Sequence, residues 1–181
     1  MPGGGKSSVG RQLARVLGLP FVDADTAIER HIGASIRVFF EREGEAAFRD
    51  IEQEVLATTL HDTGLVLATG GGAVLRESNR RVLRENSIVV YLRSTPEELF
   101  RRVRHDRRRP LLQVADPLRK LRQLHHERDP LYRRTAHFVI DTGRPSVSTL
   151  VSMVLMQLEL AGLVDPSRVP SSVIADAGPS G

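Results

Sequence analysis

Gly5-Lys6-Ser7, near the amino end, closes a phosphate-binding loop pattern, and a helical pattern starts at Ser7. Glycines without Cβ let successive backbone N–H groups turn toward one centre, where they cradle polyphosphate oxygens. Lys6 would reach the β- and γ-phosphates, the Ser7 hydroxyl would ligate Mg²⁺, and the helix adds its positive dipole end. Asp23 and Asp25 stand two apart where an apolar run ends. One carboxylate can serve a metal shell while the other accepts a proton from a hydroxyl. The same pair also fits a helix N-cap followed by a turn residue. Gly70-Gly71-Gly72 follows a second apolar run and offers backbone N–H groups, or simply a flexible connection.

Composition narrows the classes. The 181-residue chain is 40% hydrophobic and 27% charged, the proportions of one globular domain. It has no cysteine, which excludes disulfides and thiolate metal sites. No apolar run approaches the roughly 20 residues of a membrane helix, and the first residues carry no apolar signal region. Cytoplasm is therefore expected. The net charge of +4 includes a block of Arg101, Arg102, Arg104, Arg107, Arg108 and Arg109. Such a block suits a nucleotide triphosphate, a nucleic acid or a solvated helix face. Aromatics are only 4% and do not interleave with the arginines, so no base-stacking platform is expected and nucleic acid is not the expected partner.

The elements that must position these residues follow from periodicity. Val9, Leu13, Val16 and Leu17 share a helical face that stops at Gly18. Leu19 to Val22 reads as a strand and Thr26 to His31 as a helix. Ser35 caps a short helix to Glu43, and after Gly44 a longer helix carries Phe48, Ile51 and Val55. Strands follow at Leu65 to Thr69, Ile88 to Leu92 and His137 to Asp141. Helices follow around Ser78 to Glu85, from Thr95-Pro96 with Glu98 completing a capping box, from Asp116-Pro117, and from Val147 to Leu158. Residues 104–115 lack a period and read as a mobile loop; the tail beyond 163 shows no pattern and is expected to be disordered. Alternating strands and helices give an α/β class with a parallel sheet. Its ligands should sit at the carboxyl ends of the strands.

Six stretches together resemble shikimate kinase: Gly-Gly-Gly-Lys-Ser at 3–7, Val-Asp-Ala-Asp at 22–25, Glu-Ala-Ala-Phe-Arg-Asp-Ile-Glu at 45–52, Thr-Gly-Gly-Gly-Ala-Val at 69–74, Arg-Arg-Pro-Leu-Leu at 108–112 and Arg-Asp-Pro-Leu-Tyr-Arg at 128–133. They span residues 1 to about 160 in the family's order. The resemblance implies a P-loop NTPase-type, nucleoside monophosphate kinase-like parallel sheet flanked by helices. It implies ATP-dependent phosphorylation of the shikimate 3-hydroxyl, in the route to chorismate and aromatic amino acids, by a cytoplasmic monomer. Residues 1–163 would form one kinase domain, with a substrate-binding helical insertion about 26–62 and a lid about 104–116, ahead of a tail over 164–181.

Residue by residue, the resemblance assigns Gly3, Gly4, Gly5, Lys6, Ser7 and Ser8 to the nucleotide, and Ser7 and Asp23 to Mg²⁺. Asp25 matches the residue that hydrogen-bonds the substrate hydroxyls and acts as base or orienter. Arg49 and Arg133 match the pair on the substrate carboxylate, a task suited to a guanidinium's parallel N–H bonds. Glu52, one turn past Arg49, would hold that guanidinium, or form a helix-surface pair. Phe48 would wall the pocket or pack in the core, and Gly70, Gly71 and Gly72 would face the substrate. Arg109 matches the lid arginine on the transferring phosphate; Arg102 and Arg144 match adenine-side positions, or are solvated surface arginines.

The sequence departs from the family at its start. The full loop pattern begins with a glycine five positions before Gly5, at position 0, fed by an apolar strand. The expectation is thus a sheet of order 2-3-1-4-5 with strand 1 absent, a start further upstream, and a literal chain of weak activity. Two other readings compete: a kinase of this fold with another acceptor, such as gluconate or a nucleoside monophosphate, and a non-catalytic nucleotide-binding relative. The first must explain the shikimate-type Arg49, Arg133 and Gly70 to Gly72. Against the second stand Lys6, Asp25 and Arg109.

Overall fold

The structure, a computed structural model, describes residues 5–103, 114–143 and 146–165. Helix α1 (Lys6–Leu17) stops at Gly18, whose left-handed backbone (φ 66°) turns its N–H back to the Arg15 and Ala14 carbonyls. A methyl group on Gly10 would lie 2.9 Å from the Phe21 ring, so this glycine lets α1 press onto the strands beneath it. Strand β1 (Phe21–Asp23) starts two residues later than its apolar run, because the Leu19 N–H is taken by the Ala14 carbonyl at 2.9 Å in closing the helix end. Helix α2 (Ala24–Ile32) follows at once and stops at Gly33.

The long helical span α3 (Ile36–Thr59) is capped by Ser35, which accepts from the Val38 N–H. It is interrupted at Gly44 (φ 83°, ψ 177°), so two helices meet there as the sequence suggests. Strand β2 (Val66–Ala68), α4 (Glu77–Asn86) and β3 (Val90–Arg93) come next. Ile88, expected in β3, lies outside it and is 46% exposed; pairing begins after His137 Nδ1 has accepted the Val89 N–H. Helix α5 (Pro96–Val103) opens on the expected capping box: the Thr95 N–H donates to Glu98 Oε2 at 2.8 Å and the Glu98 N–H to Thr95 Oγ1 at 3.3 Å. Helix α6 (Pro117–Thr135) runs through Pro130, and strand β4 (Phe138–Asp141) and α7 (Val147–Leu160) complete the described elements.

Among the described residues the strands form two parallel pairs, β1 with β2 and β3 with β4. Helix α7 and α1 cover one side of the second pair, burying Val9, Ile140, Val151 and Val154. Tyr91, Leu99, Leu121 and Tyr132 make a second cluster, and Ile28, Phe48 and Val55 a third between α2 and α3. Tyr91 and Tyr132 stack at 4.7 Å, binding α6 to β3. No described helix is long and apolar enough to cross a membrane.

Gly44 sets the angle at which Phe48 and its neighbours enter the third cluster. Its backbone conformation belongs to a region that only glycine adopts without strain, of about 1–3 kcal/mol for other residues. Gly44→Ala should lower the unfolding free energy by about that amount, read as a lower urea midpoint with an unchanged slope. A midpoint equal to that of the parent would show that the break is not enforced by backbone strain.

Candidate active site

The amino end of α1 has the properties of an anion cradle. Gly5 stands at its N-cap in a left-handed conformation (φ 69°) with no side-chain cap, and nothing lies within 4 Å of where its Cβ would be. The first-turn N–H groups of Lys6, Ser7 and Ser8 point outward from such a terminus with the dipole's positive end. Ser7 Oγ donates to Asp23 Oδ2 at 2.6 Å, which brings the end of β1 against this turn. The other Asp23 oxygen caps α2, accepting from the N–H groups of Asp25 at 3.0 Å and Thr26 at 3.4 Å. Asp23 therefore caps α2 with one oxygen and meets the α1 terminus with the other. A hydroxyl and a carboxylate side by side are the hard oxygen donors Mg²⁺ accepts when phosphates and water complete its shell.

Asp25 sits in the first turn of α2, beside the glycine run. A methyl group on Gly70 would lie 3.0 Å from Asp25 Oδ1 and 3.5 Å from Glu52 Oε1. Partial withdrawal from water raises the Asp25 carboxyl above its ordinary value, Asp23 adds to the rise, and Lys6 opposes it. The Lys6 charge is thus felt across the cleft. Gly72 faces Arg49 still more closely: a methyl group there would lie 2.2 Å from Nη1.

Arg49 is held on three sides. Its Nη1 donates to Glu52 Oε2 at 2.6 Å, its Nη2 to Glu45 Oε1 at 3.2 Å, and its Cζ lies 5.2 Å from the Phe48 ring centre. The side chain of Glu52 is 3% exposed, so it is a buried counter-ion and not a surface partner. Phe48 itself is buried in the α2–α3 cluster and packs on Phe40 at 5.1 Å, with the Arg49 guanidinium against its ring.

Arg133 is placed elsewhere. Its Nε donates to Asp129 Oδ2 at 2.7 Å, and its side chain is 48% exposed. Asp129 also accepts from the Tyr91 hydroxyl at 2.9 Å, which fixes this ion pair against β3 and not beside Arg49. The arginine that α6 does send to the glycine run is Arg128, whose Nη1 donates to the Gly71 carbonyl at 3.1 Å. The Tyr132 hydroxyl donates to the same oxygen. Burial raises the Tyr132 hydroxyl above its ordinary value, with Arg128 and Arg49 opposing and Glu52 contributing, so all four groups share one neighbourhood. Arg128 Nε is buried and makes no hydrogen bond among the described residues. The sequence signal for Arg128 was its place four residues before Tyr132, on the same helical face.

Arg102, expected near the adenine, ties α5 to the end of β4: it donates to the Gly143 carbonyl at 2.9 Å and lies within 3.5 Å of Ser94 Oγ and Thr142 Oγ1. Ser8 is exposed in the first turn of α1. Gly3, Gly4, Arg109 and Arg144 lie outside the described residues, as does most of the expected lid.

Comparison with known proteins bears on this cleft. The family model for shikimate kinase matches residues 2–159. A shikimate kinase of Paracidovorax citrulli is 60% identical over 170 residues, covering 92% of this chain and 93% of its own. One from Burkholderia pseudomallei is 57% identical over 162 residues, covering 90% and 88%. Among solved structures, shikimate kinase from Acinetobacter baumannii in complex with shikimate superposes with a TM-score of 0.84 at 46% identity, covering 90% of each chain. The Aquifex aeolicus shikimate kinase gives a TM-score of 0.79 at 31% identity, over 90% of this chain and 95% of that one.

Asp25 carries a stability signature separable from any activity. A carboxyl raised in the folded protein favours the neutral form there, so its ionisation weakens the fold as pH climbs through that raised value. Asp25→Asn lacks this ionisation. Its melting temperature should match the parent's near pH ~4 and exceed it by a modest margin at neutral pH. A neutral-pH melting temperature below the parent's would mean that the Lys6 attraction outweighs the burial.

Proposed function

The chain belongs to the shikimate kinase family and phosphorylates shikimate with ATP, and we propose that it does so in the cleft between the α1 terminus and the glycine run. The observation that carries the reading is the convergence of Asp25, Glu52 and Arg49 on Gly70 to Gly72 beside an uncapped helix terminus. A phosphate-holding end and a carboxylate-holding end face each other with a raised carboxyl group between them.

In this reading the γ-phosphoryl group of ATP lies over Gly5, Lys6, Ser7 and Ser8, where N–H groups and the Lys6 ammonium offset its charge. Ser7 and Asp23 are the residues that would hold Mg²⁺, which supplies positive charge to the phosphate oxygens. Arg49 and Arg128, in place of the expected Arg49 and Arg133, grip the shikimate carboxylate. Glu52 keeps Arg49 in its productive rotamer, and Tyr132 with Arg128 fixes the Gly71 peptide so that the run presents its N–H side to the cleft. Asp25 accepts a hydrogen bond from the 3-hydroxyl and takes its proton as the new oxygen–phosphorus bond forms and the bond to the ADP oxygen breaks. Its raised basicity suits that task better than an ordinary carboxylate would. Arg109 is the arginine proposed for the transferring phosphate, and Arg102 with Arg144 for the adenine side. The protein acts as a cytoplasmic monomer on a small metabolite, without nucleic acid or membrane.

A coupled ADP-release assay with shikimate tests both the activity and the roles. Asp25→Asn should lose about 10²–10⁴-fold in kcat while retaining nucleotide affinity. Arg128→Ala should raise the shikimate KM roughly thirtyfold or more, the effect of about 2–5 kcal/mol expected when a buried charge contact is truncated. Arg133→Ala should leave that KM within about threefold, as exposed ion pairs contribute about 0–1 kcal/mol. The reverse ranking of the two arginines would return the carboxylate to Arg133, and turnover on another acceptor but not on shikimate would overturn the reading.

A further inference from the structure

Helix α4 carries none of the proposed site residues, yet three arginines along it reach the segments that do. Arg76, at its N-cap, Arg80 and Arg84 recur every four residues and form one stripe about 12 Å long. Each binds a different segment. Arg76 Nη1 lies 2.7 Å from Asp50 Oδ1 and donates to Gln53 Oε1 at 3.2 Å, both on α3. Arg80 Nη1 donates to the Val74 and Leu75 carbonyls at 2.7 and 3.0 Å, just past the glycine run. Arg84 Nη1 donates to the carbonyls of Arg134 at 3.2 Å, Thr135 at 3.4 Å and Ala136 at 3.1 Å, where α6 ends. A guanidinium there meets the unpaired carbonyls and the negative dipole end of a helix.

Those three segments hold the carboxylate-binding groups. Asp50 and Gln53 follow Arg49 and Glu52 by one position each, a rotation of about 100° around α3. One stripe of α3 therefore meets the glycine run while the adjacent one meets α4. Tyr132 lies about one turn before the carbonyls that Arg84 holds, and with Arg128 it bonds to Gly71. Only Asn79 and Leu83 of α4 are buried, so directional polar contacts set its distance from its neighbours. Asp50 is 71% exposed, and water competes with its ion pair. Gln53 is the firmer tether, because its Oε1 also accepts from Ser78 Oγ at 2.8 Å in a part-buried contact.

We propose that α4 is the spacer that sets the separation of Arg49 and Arg128, with Gln53 and Arg84 as the positioning residues at its two ends. The inference rests on the kinase reading and deepens it: the span of the carboxylate grip is ruled by a helix that supplies none of its ligands. Two guanidinium groups hold one carboxylate only while both forks reach its oxygens. A displacement at either tether therefore weakens substrate binding and spares the nucleotide end of the cleft.

The test combines steady-state ADP release with the rise in melting temperature that shikimate produces by mass action on the folded chain. Gln53→Leu and Arg84→Met should each raise the shikimate KM at least about fivefold, with kcat and the ATP KM within about twofold. Both should shrink the shikimate-induced thermal shift at fixed concentration. Gln53→Glu keeps the acceptor and Arg84→Lys keeps a cation at the end of α6, so each should restore most of the loss. Arg81→Ala, exposed on the same helix, should match the parent. In an Arg49→Ala background, Gln53→Leu should add less than about twofold, because it acts through Arg49. An unchanged shikimate KM, full additivity with Arg49→Ala, or an equal loss in kcat and both KM values would overturn the proposal. A parent chain that neither binds nor phosphorylates shikimate would instead sink the kinase reading itself.

Discussion

The site is built around a guanidinium withdrawn from water. Arg49 is 13% exposed and lies 2.6 Å from Glu52, which is 3% exposed. Removing two such charges from solvent costs several kcal/mol per ion, and mutual attraction only approximately offsets it. An aliphatic pair of similar volume would serve stability as well. The pair makes sense as a functional expense: Glu52 fixes the fork of Arg49, while the more exposed Glu45 holds the other nitrogen. Gly72 is the geometric condition, since any Cβ at that position would occupy the guanidinium's space. Two separate elements, α3 and the loop after β2, are therefore fixed relative to one another by the needs of one charge, and α6 joins the same loop through Arg128 and Tyr132.

From that fixed charge the cleft alternates in sign. Arg49 and Arg128 lie on one side of the glycine run, Asp25 and Asp23 in the middle, and Lys6 with the positive end of α1 on the other. A doubly ended anion, phosphate at one end and carboxylate at the other, satisfies both positive regions only if its ends are a small molecule apart. The carboxylates between them exclude a continuous polyanion by like-charge repulsion.

Much of this was legible in the sequence because local chemistry determined it. Gly18, Gly44 and the Thr95–Glu98 box set helix ends by backbone requirements that need no partner from elsewhere. The dual use of Asp23, one oxygen capping α2 and the other meeting Ser7, was open in the sequence because both roles ask for the same residue type. Strand limits were less legible. Leu19 and Ile88 are aliphatic, yet one lies in the helix-closing turn and the other stays exposed before pairing starts, outcomes decided by tertiary hydrogen bonds. The contacts of Gly70 with Asp25 and of Gly72 with Arg49 join distant segments and could be reached only through family likeness.

The placement of Arg128, and not Arg133, against the glycine run shows where motif reading loses resolution. In Arg-Asp-Pro-Leu-Tyr-Arg the two arginines are five apart, and five residues on a helix is well over one turn, so they cannot share a face. Helical spacing divides α6 into two stripes. His125, Asp129 and Arg133 form one, closed on itself by the Asp129 carboxylate; His125 Nε2 lies 3.6 Å and Arg133 Nε 2.7 Å from it. Arg128 and Tyr132 form the other, and both reach Gly71. What separates the two arginines is position: Arg133 lies along the Asp129 stripe, whereas Arg128 reaches the glycine run beside the buried Tyr132. Once the glycine run is known to face the Tyr132 stripe, helix geometry alone says which of the two arginines stands beside it.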